Sequence, residues 1–417
     1  MALPPGSGVN GRAMMNFFPP LPRRLFLIAA AVLLHSDANS AVVAPEYGDN
    51  VQFRVRMDHS WVKFRREHKG TVAFIGGSIT EMNGYRPMVS EGLQKRFPGT
   101  AFKFINAGIS STCSTTGAFR LATDVFGQGP VDLLFVEFAV NDDQDAAHTR
   151  AECVRGMEGI IRHARQLNPD IDIVMTYFVN EGMLKTLQSG GTPLTIEAHE
   201  AVAKHYGVST IHLAKEVAGE ITAGKLTWKQ YGGVHPAPFG NAIAAGMIED
   251  LLWRAWSPSL SADATPAAHV TPSPLDSFHY GNGRFIDPKE AKVKGGWTLG
   301  IPDWKALAGG KRERFTSIPL LSATEPGGAE ATLEFEGNAV GAYVVAGPDA
   351  GIAEASIDGG PFHAVNLLHR FSAGLHYPRT VMLGTELKPG KHVLTLRISP
   401  ETKGTGHAMR VVQFVAN

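Results

Sequence analysis

The stretch TVAFIGGSIT, residues 71–80, decides the fold class. Its first five residues form a near-continuous apolar run, which is typical of a strand that is buried on both faces of a sheet. Two glycines follow, and a serine, Ser78, comes directly after them. We therefore predict a buried strand over 71–75 that ends in a tight turn and presents the Ser78 hydroxyl.

Four further strands are predicted from similar runs, at 102–107, 132–140, 171–178 and 208–213. Helical patterns alternate with them. The clearest begins at Cys153, repeats apolar residues on one face of a helix, and is ended by Pro169. A second helix is predicted from Phe239 to about Trp256. Strands that alternate with helices predict an α/β fold: a three-layer parallel sheet with helices on both faces.

The pattern changes after Trp256. Residues 257–274 are rich in Ser, Ala, Thr and Pro, which is typical of a linker. Beyond them, short strands are predicted at 331–335, 340–345 and 393–398, and glycine-rich turns separate them. This pattern predicts a C-terminal antiparallel β-sandwich.

The amino terminus has the three parts of a secretory signal peptide. Arg23 and Arg24 precede an apolar run over 25–34, and small residues follow up to Ala41. The run is too short to span a bilayer core of about 30 Å. We therefore expect the protein to be exported, to the periplasm or the extracellular space, with no stable membrane insertion once the signal is removed.

Charge and cysteine content exclude some classes. Lys plus Arg and Asp plus Glu both number 39, so the net charge gives no electrostatic footprint for nucleic acid or an anionic membrane. Only two cysteines occur, Cys113 and Cys153. Export would permit a disulfide between them, but two separate buried thiols are an equal alternative.

Four polar segments follow predicted strands or precede the last helix, and we expect all four to converge on the carboxyl edge of the predicted sheet, where open α/β sheets bind ligands. They are GGSIT at 76–80, NAGISS at 106–111, FAVND at 138–142 and GGVHP at 232–236. Each alone has a structural explanation as a turn, a helix cap or a surface loop. Four such segments at one edge favour a catalytic site.

The four segments together resemble the conserved blocks of the SGNH hydrolases, also called GDSL-type esterases. The resemblance covers about residues 68–256 and implies an SGNH (flavodoxin-like) sheet. It divides the chain into a signal peptide, a hydrolase domain, a linker and a β-sandwich accessory domain, at 1–41, 50–256, 257–275 and 276–417.

The resemblance also implies residue roles. Ser78 would attack an ester carbonyl, and His235 would act as the general base. The oxyanion would be bound by the backbone N–H of Ser78, by the backbone N–H of Ser111 and by the side-chain amide of Asn141. No cofactor and no metal are expected, since the histidines show no zinc spacing and the chain has no phosphate-binding loop.

Three positions depart from the family pattern. Gly77 stands where the family has Asp, and Ser111 stands where it has Gly. The third departure is more serious, because Gly232 occupies the position of the Asp that orients the histidine. Asp142, Asp143 or a backbone carbonyl could substitute, or the protein could use a Ser–His pair alone.

The sequence therefore predicts an exported serine esterase that hydrolyses carboxylic esters, with O-acetyl groups on a carbohydrate as the substrate class. The attached β-rich region suggests the carbohydrate by analogy alone. Two alternatives stay open: a lipase or thioesterase that acts on acyl chains, and a non-catalytic carbohydrate-binding protein on a degenerate esterase scaffold. The oligomeric state is not predicted.

Overall fold

The strand predicted over 71–75 lies inside a six-stranded sheet. A computed structural model describes residues 47–257 and 265–417, so the predicted signal peptide lies outside the described residues. In spatial order the strands are β1-β6-β5-β4-β2-β3; all neighbours are parallel except β1, which is antiparallel to β6. The strands are β1 Val51–Gln52, β2 Lys69–Gly76, β3 Ala101–Gly108, β4 Leu133–Glu137, β5 Asp172–Thr176 and β6 Ser209–Ile211.

Helices cover this sheet and bury its apolar strands in one hydrophobic core. The prediction of an α/β fold is confirmed, and so are the two predicted helices, which are α5 and α10 below. The helices of this part are α1 Asp58–Arg65, α2 Ser78–Glu81, α3 Tyr85–Arg96, α4 Ser114–Arg120, α5 Arg150–Leu167, α6 Glu181–Gln188, α7 Leu194–Tyr206, α8 Leu213–Thr222, α9 Trp228–Tyr231 and α10 Pro238–Ala255.

The strand register brings three of the polar segments together. Gly76 of β2 lies opposite both Gly108 of β3 and Glu137 of β4, so these strands end at the same level of the sheet. The buried Arg120 ties the edge together, because its guanidinium donates to the carbonyls of Ala107 (2.6 Å) and Gly76 (3.1 Å). The loops that follow these strands therefore start from a fixed platform.

The region after residue 265 is rich in β-structure, and its two antiparallel sheets enclose a second apolar core. The predicted β-sandwich is confirmed. Its elements are β7 Arg284–Ile286, β8 Lys292–Lys294, β9 Thr298–Gly300, α11 Glu313–Thr316, β10 Leu320–Ala323, β11 Glu330–Gly337, β12 Val340–Ala346, β13 Ile352–Ile357, β14 His363–Asn366, β15 Tyr377–Gly384, β16 Gly390–Ile398 and β17 Met409–Ala416.

The described part of the predicted linker is fixed against α5. Arg165 donates to the carbonyl of Val270 (2.7 Å), and Arg162 donates to that of Pro272 (2.8 Å). The buried carboxylate of Glu158 accepts from the backbone N–H groups of Leu275 and Asp276. The α/β part and the β-rich part belong to one compact unit, so side chains from both can build one site.

Two expectations on membrane and redox chemistry can be compared with the fold. Within 47–257 and 265–417, no helix has the length and apolarity needed to cross a bilayer. Cys113 and Cys153 are both buried and form no disulfide. Of the two alternatives left open, the structure therefore has the separate thiols.

Candidate active site

Ser78 and His235 meet at the carboxyl edge of the sheet. Ser78 is the first residue of α2, directly after β2 and the turn at Gly77. Its Oγ lies 2.8 Å from Nε2 of His235, a residue 157 positions later in the chain. Ser78 is half-buried and His235 is exposed, so the pair is accessible from solvent.

The loop that carries His235 has a fixed shape. After α9, Gly232 and Gly233 adopt left-handed conformations, with φ of 106° and 79°. The chain then closes back on itself, because the Ala237 N–H donates to the Tyr231 carbonyl at 2.8 Å. The buried Asn241 donates to the Pro236 carbonyl at 2.6 Å. These contacts hold the imidazole beside Ser78 without a hydrogen bond to its Nδ1 atom from the described residues.

The second polar segment packs against α2. The Ile109 N–H donates to the Gly76 carbonyl (3.0 Å), and the Ser110 N–H donates to the Glu81 carboxylate (2.9 Å). Ser111 has φ of 73°, a left-handed conformation that favours glycine, the family's usual residue at this position. The substitution of Ser for Gly therefore keeps the loop conformation.

Asn141 lies against the turn that precedes Ser78. It is buried, and a Cβ atom on Gly77 would be 2.0 Å from its Oδ1 atom. The family's usual aspartate at position 77 would displace this side chain, so Gly77 and the present position of Asn141 require each other. The Asn141 Nδ2 atom donates to Asp145 at 2.6 Å, which uses one of its two amide hydrogens.

Two backbone donors in these loops are free. The N–H groups of Ser78 and Ser111 donate to no acceptor in the described parts of the chain. With the second hydrogen of the Asn141 amide, the site has three donors in the loops around the serine hydroxyl. Such a set can stabilise negative charge on an oxygen atom, which is what an oxyanion hole does.

The two aspartates considered as substitutes for the missing acid point elsewhere. Asp142 is fully buried and accepts from Ser114 and from His199 Nε2 (2.8 Å). Burial alone would raise its pKa, but His148 and His199 bring that pKa below its ordinary value. Asp143 accepts from Asn180 at 2.7 Å. Among the residues that the structure describes, nothing hydrogen-bonds to Nδ1 of His235.

The β-rich part contributes contacts that the sequence analysis missed. Arg312 donates to the Ser111 Oγ atom (2.7 Å), and Tyr377 donates to the Ser111 carbonyl (3.2 Å). Arg314 lies 3.6 Å from Glu81. The charged run at 311–314 has the pattern of a solvated face or turn, but Arg312 is only partly exposed and bonds to Ser111. No sequence signal pairs residues about 200 positions apart.

A cluster of possible metal ligands lies below this edge. Cys113, Asp142 and His148 have ligand atoms within 4.8 Å of one another, and Asp142, Cys153 and His199 form a second such group. The sequence spacing gave no sign of either group. Both Asp142 oxygens already accept hydrogen bonds from protein groups, so the carboxylate is satisfied as it stands.

Part of the chain matches a known protein family. Residues 74–243 match the profile of the GDSL-like lipase/acylhydrolase family. These residues belong to that family. The family resemblance stated from the four segments is thereby confirmed for this part of the chain, which is a hydrolase of the GDSL type. None of the curated protein sequences matches the chain.

Solved structures share the two-part fold of this GDSL-type protein. A two-domain esterase active on acetylated mannans, co-crystallised with mannopentaose, superposes with a TM-score of 0.71 at 19% identity, covering 89% of this chain and 97% of that one. A second structure of an esterase of the same description gives a TM-score of 0.70 at 20% identity, with 89% and 98% covered. At these identities the likeness shows the fold alone.

The loop around Gly232 leads to a prediction that contrasts two neighbouring glycines. A Cβ atom on Gly232 would lie 2.0 Å from the Ala237 backbone nitrogen, whereas a Cβ atom on Gly233 would meet nothing within 4 Å. Both alanine variants are destabilised by about 1–2 kcal/mol, because alanine must adopt the left-handed backbone conformation of the glycine that it replaces. Only Gly232→Ala should also displace His235, which we expect to lower kcat/KM by about 10²-fold.

Steady-state kinetics and thermal unfolding of the two variants measure this difference. Equal losses of kcat/KM in Gly232→Ala and Gly233→Ala would contradict the steric argument. They would also mean that the family's aspartate could be accommodated at position 232.

Glu137 predicts a pH-dependent stability. Its carboxyl group is fully buried at the end of β4, and burial raises its pKa from 4.5 to about 7, although Thr80 and the Gly77 N–H lower it in part. The unfolded chain loses this proton near pH 4.5, and the folded chain loses it near pH 7. The contribution of Glu137 to the free energy of unfolding is therefore greatest below pH 4.5 and is lost as the pH rises through 7. The expected loss from this group is about 3 kcal/mol by pH 8.

Glu137→Gln should remove this dependence. Relative to the wild type, its free energy of unfolding should rise by about 3 kcal/mol between pH 4.5 and pH 8. The change with pH is the quantity to measure in denaturant titrations, since the cost of an unpaired amide is the same at every pH. Glu290→Gln, at an exposed position, is the control. If the free energies of unfolding of Glu137→Gln and wild type change in parallel between pH 4.5 and pH 8, Glu137 is ionised over this whole range.

Proposed function

We propose that this chain is an exported serine esterase that removes O-acetyl groups from a carbohydrate. The observation that carries the proposal is the 2.8 Å contact between Ser78 Oγ and His235 Nε2. A nucleophile and a base within hydrogen-bond reach are the minimum for acyl transfer through a covalent intermediate.

In the proposed reaction, Ser78 Oγ attacks the ester carbonyl carbon while His235 Nε2 takes the hydroxyl proton. The tetrahedral intermediate collapses, and the C–O bond to the alcohol breaks as His235 returns the proton to the leaving oxygen. Water then attacks the carbonyl carbon of the acyl-enzyme while His235 takes a proton from the water. His235 returns this proton to Ser78 Oγ as the bond between Oγ and the acyl carbon breaks. This step releases the carboxylic acid and restores the serine.

The developing oxyanion would be bound by the backbone N–H groups of Ser78 and Ser111 and by the Asn141 amide. Each such donor contributes about 10²–10³ in rate. Because the N–H groups are on loops fixed by β2, β3 and Arg120, they are oriented before the substrate binds.

His235 would work without a carboxylate partner. The exposed ring leaves Nδ1 open to solvent, and the contacts of the Gly232–Pro236 loop orient the imidazole in place of an acid. In serine proteases, loss of the aspartate costs about 10⁴ in kcat. We therefore propose a Ser–His pair with a lower turnover than a full triad of the same family.

The carbohydrate part of the proposal is supported by the accessible site, by the β-rich part beside it and by the esterases of similar fold. Its test is acetate release from acetylated mannan and acetylated xylan, measured beside hydrolysis of a chromogenic acetate and a chromogenic palmitate. We expect release from a glycan and a preference for the acetate. Preference for palmitate would favour a lipase, and glycan binding without any turnover would favour a binding protein; either result would overturn the proposal.

A further inference from the structure

A cavity of about 250 Å³ lies between the α/β part and the β-rich part, directly beside the candidate active site. We call it the interface cavity. Ser111, whose backbone N–H is one of the three free donors, lines one side of it. Residues of β15 line the other side, with the His148 and Cys113 side chains nearby. The β15 residues that line it include Tyr377, Arg379 and Thr380.

Arg379 is the unusual residue of this cavity. Its side chain is partly buried, and burial lowers the pKa of its guanidinium. Yet among residues 47–257 and 265–417 it has no hydrogen-bond partner and no carboxylate within 4 Å. Arg410 of the same β-rich part shows the ordinary arrangement, with two bonds to Asp349 at 2.9 and 2.6 Å. Buried arginines are nearly always paired in this way.

The acidic groups that line the same cavity are already satisfied. Asp145 accepts from the Asn141 amide at 2.6 Å and from the Gln144 amide at 3.5 Å. Glu152 accepts from the N–H and hydroxyl of Thr149, both at 2.8 Å. Arg379 is therefore a charged group of the cavity that forms no hydrogen bond within the described residues, and a ligand that pairs with it must bring acceptors to it.

The chemistry of that ligand follows from the guanidinium. Its planar set of N–H donors matches the two oxygens of a carboxylate, and the match is stronger in a partly desolvated site. The Thr380 hydroxyl accepts from Thr116 (2.9 Å) and so can donate its own hydrogen to the same ligand. The cavity holds roughly eight water volumes at about 30 Å³ each, which is room for one sugar ring and not for a chain.

We propose that the interface cavity binds the carboxylate of an acidic sugar, a uronate, through Arg379, and so selects acidic glycans as substrates of the adjacent site. This inference rests on the proposed function, because it assumes that the ester is on a carbohydrate. Ser111 lines the cavity and lies in the loop that packs against α2, the helix that begins at Ser78, so the uronate would be the unit next to the acylated sugar.

The test is calorimetric titration of the full chain with methyl glucuronoside, methyl glucoside and acetate. We expect the glucuronoside to bind about tenfold more tightly than the other two, a difference of about 1.4 kcal/mol. Arg379→Gln should remove the difference. Arg397→Gln is the control, since that arginine is exposed on β16 and pairs with Glu330 on β11.

Equal binding of the acidic and neutral glycosides would overturn the proposal, as would a difference that survives in Arg379→Gln. Acetate that binds as tightly as the glucuronoside would assign the cavity to the acid product instead. Because Arg379 has no partner among the residues that the structure describes, we expect the melting temperature of Arg379→Gln to equal or exceed that of wild type; a lower value would indicate a structural role. Turnover of a chromogenic acetate by wild type tests the proposed function separately, without reference to the cavity.

Discussion

Ser78→Ala is expected to lower kcat/KM for a small acetate ester by at least about 10²-fold. In subtilisin loss of the whole triad costs about 2 × 10⁶ in kcat, and loss of the aspartate alone already costs about 3 × 10⁴, so this is the further loss expected for a site that would work without that acid. The hydroxyl oxygen is the atom that forms the acyl-enzyme, and no other serine hydroxyl is hydrogen-bonded to His235 in the described residues. The substitution removes one hydroxyl group from a half-buried residue at the start of α2, so the fold should not change. Residual hydrolysis would come from binding and from the oxyanion donors alone.

Ser189→Ala is the matched control, because Ser189 lies in an exposed turn and its hydroxyl donates to the Thr186 carbonyl. Its kinetics should equal those of the wild type, and both variants should unfold at the wild-type temperature. Activity of Ser78→Ala within tenfold of wild type would assign the nucleophile to another residue and would remove the basis of the proposed mechanism.

His235→Ala is expected to cost nearly as much, because Ser78 then has no base to take its proton. The double variant Ser78→Ala, His235→Ala should be no slower than Ser78→Ala alone, since residues that act as a unit are not additive. The control is His363→Ala, at an exposed position on β14.

If the loss of kcat/KM in the double variant equals the product of the two single losses, this account of His235 is contradicted. Such a result would mean that the histidine acts on a step that does not involve Ser78, such as substrate binding. The comparison needs only initial rates at saturating and limiting substrate, with folding checked by circular dichroism.

The fold could be predicted because its signals are local. Each parallel strand is an apolar run, and α5 repeats its apolar face every turn, so both patterns survive in the sequence without knowledge of the contacts. The exceptions have physical reasons. β1 has two residues, too few for a period, and the strand predicted over 132–140 ends at Glu137 because the chain turns into a helical segment from Ala139.

The candidate site divides in the same way. Ser78, Ser111, Asn141 and His235 could be predicted, because each follows a strand or precedes a helix that the sequence shows. Tyr377 and Arg312 could not, since their contacts depend on how β15 and the 311–315 segment pack against the loop at 108–112. The net charge gave no indication of Arg379 either, because a sum over the chain does not show whether one cation has a partner.

The central claim, that Ser78 and His235 form one reactive centre, is tested most directly by labelling the intact protein with a fluorophosphonate and locating the modified residue by peptide mass spectrometry. We predict stoichiometric labelling on Ser78 in the wild type, a strongly slowed reaction in His235→Ala and none in Ser78→Ala. A label on any other residue, or a rate that is unchanged in His235→Ala, would contradict the claim.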